Sequence, residues 1–63
     1  MNEYYYWRAT SYLDFLISAS DMIHGPGKAV KGYELMKKIR NRELTPELYT
    51  NIMSLTDADL LED

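Results

Sequence analysis

Sixty-three residues, no cysteine and one histidine, His24, constrain this chain before any motif is read. A domain of that size buries only about 60% of the surface its unfolded chain exposes. Without cysteine it has neither disulfides nor thiolate metal sites, which leaves regular helix packing or self-association to complete its stability. The net charge of −3 is sorted along the sequence, residues 1–27 summing to −2, residues 28–42 to +5 and residues 43–63 to −6. Such sorting suits a chain that meets a partner through a basic face, an acidic face or both.

In chain order, the first expected element is a helix over about residues 5–23. Tyr5, Ala9, Tyr12, Leu16, Ala19 and Ile23 recur alternately four and three residues apart, as along a heptad stripe. Leu13 and Ile17 widen the stripe on one side, and Phe15 and Met22 on the other. At about 100° per residue the apolar arc spans about 220°, more than one partner helix covers. Either two further helices wrap it or a second copy of the chain does. Glu3, Asp14, Ser18 and Asp21 mark the wet side, with Trp7 placed oddly among them.

His24-Gly25-Pro26-Gly27 ends that helix, because Gly25 can take a left-handed cap and Pro26 cannot continue the hydrogen-bond ladder. A second helix, over about 28–42, places Ala29, Gly32, Tyr33, Leu35, Met36 and Ile39 inward and Lys31, Lys38 and Arg42 outward. Gly32 in its middle costs roughly 1 kcal/mol against alanine, tolerable where a close neighbour uses the space. Thr45-Pro46-Glu47 reads as a helix start, with Thr45 as cap, proline at the first position and a carboxylate in the positive first turn. That third helix, over about 46–55, offers Leu48, Tyr49, Ile52, Met53 and Leu55 as its apolar face.

Thr56-Asp57-Ala58-Asp59 is a weaker start for a turn or helix over about 57–61, with Thr56 as its cap and Leu60-Leu61 closing one end of the core. No four-residue run alternates apolar and polar positions with β-branched residues as a strand would. The fold class expected is all-α, a compact bundle of three main helices plus a short C-terminal helix or turn, in one domain.

Two surfaces are candidates for function. Tyr4-Tyr5-Tyr6-Trp7 cannot all face one core, and aromatic clusters are the material of interface hot spots. Tyr4, Tyr5, Trp7 and Arg8 are therefore the expected partner-binding residues, and a symmetric homodimer through the first helix, with Tyr5, Tyr12, Leu16 and Trp7 at or near its interface, would use them. The second surface is Lys31, Lys38, Arg40 and Arg42, a face for nucleic acid or an acidic partner. Against nucleic acid stand the acidic overall charge, the presence of only two arginines on this face and the lack of a recognition-helix pattern. The plainer reading is a solvated face beside an acidic segment.

Gly25-Pro26-Gly27-Lys28 lacks the spacing and preceding strand of a phosphate-binding loop. His24 is expected to cap the first helix. Asp57, Asp59, Glu62 and Asp63 lack the glycine and ligand spacing of a calcium loop. No nucleophile, base and carboxylate assemble, so neither catalysis, a cofactor nor a metal is expected. No basic leader precedes the aromatic run, and Asp14, Ser18, Ser20 and Asp21 interrupt the longest apolar stretch, so a cytoplasmic location without membrane contact is expected. The short length, the initial methionine and the acidic end fit a complete small bacterial or phage gene product. The function expected is a protein–protein interaction module serving as regulator, inhibitor or adaptor of a larger protein. The alternative is a nucleic-acid-associated regulator using the basic face of residues 28–42.

Overall fold

Side-chain caps and backbone turns set each helix boundary in the computed structural model, which describes residues 1–62. The first helix, α1, spans Glu3–His24 and begins earlier than expected because Asn2 caps it: the Tyr5 N–H donates to Asn2 Oδ1 at 3.4 Å. Gly25, at φ 102°, ends it. The second, α2, spans Val30–Arg40, shorter at both ends than the sequence suggested. At its start Ala29 (φ −82°, ψ 55°) forms an inverse γ-turn, in which the Val30 N–H donates to Lys28 O at 2.9 Å. At its end Arg42 takes the left-handed conformation, φ 61°, and the Glu43 N–H closes back on Lys38 O at 3.0 Å, a Schellman closure with arginine where glycine is usual.

The third helix, α3, spans Pro46–Met53 and starts as expected, with the Leu48 N–H donating to Thr45 Oγ1 at 3.1 Å. A single 3-10 turn, Ala58–Leu60, follows. There Asp59 is the capping side chain in place of Thr56; its Oδ2 accepts from the Thr56 N–H at 2.8 Å and from the Thr56 hydroxyl at 3.1 Å. The described residues contain no strand, and the fold is the all-α bundle of three helices and a short C-terminal turn.

The spine of the molecule is α1. Its 22 residues, at about 1.5 Å each, match the 33 Å long dimension of the 33 × 18 × 18 Å particle. Both α2 and α3 pack on α1 and not on each other, and the 3-10 turn rests on α1 and α2. Tyr6, Ala9, Leu13 and Leu16 of α1 meet Ala29, Met36, Ile39, Leu44, Ile52 and Leu60 in one core. The buried edge of α1 is thus Tyr6, Ala9, Leu13, Leu16 and Ser20, turned about 60° from the expected stripe. Ile23, placed in that stripe by its spacing, is 67% exposed. The flanking helices bury the Leu13 side of so wide an apolar arc and not its centre, and the polar Ser20 lies in the edge where spacing alone favours Ala19. Gly32 does admit a close neighbour, since a Cβ there would stand 2.9 Å from Leu60 Cδ1 and 3.0 Å from Ile17 Cγ1.

Candidate interaction surface

The aromatic run at the start of α1 splits as the helix turns. Tyr6 points inward, where its Oη accepts from the Leu44 N–H at 3.2 Å. Tyr5 leans toward α3, edge-on to Tyr49 with ring centres 5.1 Å apart. Tyr12 lies on the same flank and donates its hydroxyl to Leu55 O at 2.7 Å. Tyr4 and Trp7 stay outside, with ring centres 6.4 Å apart. Arg8 Nη1 donates to Tyr4 Oη at 2.9 Å, and this bond, more than the electrostatic influence of Tyr4 and Tyr49, raises the Arg8 pKa above its ordinary value. Leu16 is buried in the chain's own core. The expected dimer interface therefore loses Leu16 and Tyr12 to intramolecular packing, and Tyr5 in part, while Trp7 remains.

What α1 presents instead is an outer face opposite the core. Tyr4, Trp7, Phe15 and Met22 are 52, 63, 66 and 88% exposed. Phe15 and Met22 were not among the expected site residues. Their signal lies in spacing, for positions 4, 8, 11, 15, 18 and 22 run alternately four and three apart on the side away from the core. Burying three of the six residues in this row would need a partner that the chain itself does not supply.

The basic residues do not form one ridge. Lys31, Lys37 and Lys38 are exposed along α2 with Glu34 among them. Arg40 is exposed and shares with Trp7, Thr10 and Arg42 an open groove between the start of α1 and the end of α2. Arg42 does not project away from the bundle as its spacing suggested. Its guanidinium lies 3.9 Å from the Tyr6 ring centre and pairs with Glu3, because the left-handed turn at Arg42 swings it back over α1.

His24 does not cap backbone carbonyls; its Nε2 stands 3.1 Å from Asp57 Oδ2 and ties the end of α1 to the C-terminal segment. With Asp57 on His24 and Asp59 on Thr56, the acidic residues diverge, and the described residues hold no group of three or more metal-ligating side chains. Asp63 lies outside the described residues. No helix of the described residues is long and apolar enough to cross a membrane. No family model, curated protein or solved structure matches the chain.

Proposed function

We propose that the protein is a small non-catalytic interaction module, a regulator, inhibitor or adaptor that acts by holding another protein through the outer face of α1. The observation that supports this reading is the row of exposed apolar side chains, Tyr4, Phe15 and Met22 with Trp7 beside them, on a helix whose opposite side already completes the core. Exposed aromatics of this kind give large contact area with few rotatable bonds, and aromatic side chains dominate interface energetics. Arg42, engaged with Glu3 and Tyr6, is withdrawn from the basic face on which the nucleic-acid reading rests. That alternative keeps one feature, the presence of Trp7 and Arg40 in the same groove, since base stacking beside a cation is how single strands are held.

Comparison of two variants tests the reading. The Trp7→Ala/Phe15→Ala protein should lose capture of protein partners from host lysate, while Lys37→Glu/Lys38→Glu/Arg40→Glu retains it. Native protein should leave single-stranded and duplex DNA or RNA unshifted in a gel at physiological salt. Tight, salt-sensitive nucleic-acid binding abolished by the charge reversal would overturn the reading in favour of the alternative.

A further inference from the structure

We infer that the outer face of α1 pairs with the same face of a second copy, antiparallel, about a two-fold axis at the level of Leu13. This rests on the reading of that face as an interaction surface and names a second copy as its occupant when no target protein holds it. In the row Tyr4, Arg8, Ser11, Phe15, Ser18, Met22, large and small side chains are arranged so that reversing the row complements it. Laid antiparallel with Leu13 opposite Leu13 in height, Tyr4 meets Met22, Arg8 meets Ser18, and Ser11 meets Phe15. Each serine is then the hole for a large side chain of the other copy, which is the knobs-into-holes condition for two helices at close range. Every residue of the row is engaged in this register. Sliding the copies by one heptad leaves Ser18 and Met22, or in the other direction Tyr4 and Arg8, without partners in the row.

Parallel pairing fails on the same residues. Serine would face serine at two levels, leaving voids, and the two Arg8 guanidinium groups would meet across the axis, a like-charge contact that disfavours association. In the antiparallel register the Arg8 side chains stand about 15 Å apart along the axis, at about 1.5 Å per residue. The opposed helix dipoles also favour that arrangement. A second copy is likewise the right size of partner. A fully bare aromatic offers 150–250 Å², so the half to nine-tenths bare Tyr4, Trp7, Phe15 and Met22 together carry roughly 500 Å². Arg8, Ser11, Ser18 and the edges of Tyr5 and Asp14 bring each copy near the roughly 800 Å² that one partner contributes to a standard interface.

The native chain has no cysteine, so single cysteines report the pairing directly. Arg8→Cys and Ser18→Cys replace residues outside the core, and circular dichroism of each should match the native helix content. Under mild oxidation neither variant alone should form more than a trace of disulfide-linked dimer. An equimolar mixture should give predominantly the mixed Arg8→Cys/Ser18→Cys species, identified by mass. Self-linked dimers of either variant in equal or greater yield would overturn the antiparallel register. Should the mixture stay uncrosslinked and native protein sediment as a monomer while aromatic-dependent partner capture persists, the second copy is wrong and the interaction-module reading survives. Loss of both self-association and aromatic-dependent capture would remove the reading itself.

Discussion

Arg42 shows how one residue couples backbone strain to surface chemistry. A non-glycine side chain in the left-handed region costs roughly 1–2 kcal/mol, and here the side chain it places covers the Tyr6 ring and reaches Glu3. An exposed ion pair offsets little of that strain, while a cation over an aromatic face contributes about 0.5–1 kcal/mol. Since Arg42→Ala and Arg42→Gly both delete these contacts, their difference isolates the backbone. The glycine variant should be the more stable by about 1 kcal/mol in denaturant midpoints. Equal midpoints would mean that Arg42 is not held left-handed in solution. None of this was legible in the sequence, where an arginine two residues past a helix end reads simply as one more cation on a ridge. The Thr45 cap is legible, because Thr-Pro-Glu states its own geometry, whereas Asn2, which caps α1 in the same way, has no proline or apolar break after it to mark the boundary.

Among the elements, α1 explains both what could be read and what could not. Its existence and its end at Gly25 followed from apolar spacing and helix-breaking residues. Its orientation did not, since Ala9 and Leu16 belong equally to the expected stripe and to the observed one, and a helix apolar over about 220° offers no contrast from which to choose. Spacing alone therefore makes Phe15 and Met22 flanks of the core, whereas they belong to the outer face. On α2 the reverse holds, for Gly32 marked a close approach that the packing of Leu60 and Ile17 bears out. Gly32→Ala should therefore lower stability by about 1 kcal/mol or more in thermal or chemical denaturation, because overpacking against the fully buried Leu60 exceeds the gain of up to about 1 kcal/mol in helix propensity. An increase in stability would show that Leu60 moves aside freely and that the contact between α2 and the C-terminal turn is loose.

At the scale of the whole molecule, the described residues close a core on one side of a 33 Å spine and leave the other side bare. A domain this small has little stability to lose, and pairing of two spines would add buried surface without lengthening the chain. The sorted charge belongs to this scale as well. Apart from Arg40 beside Trp7, the basic α2 and the described acidic residues after it do not enter the proposed row, so their like charges are not brought face to face by self-association. Sedimentation equilibrium across the micromolar range, on native protein and on Phe15→Glu, tests the claim that the outer face of α1 is an interaction surface between copies. Native protein should approach twice the 7.4 kDa chain mass as concentration rises, and Phe15→Glu, equally helical, should remain at 7.4 kDa throughout. Native protein at 7.4 kDa at every concentration, or a Phe15→Glu variant that dimerises as native does, would contradict it.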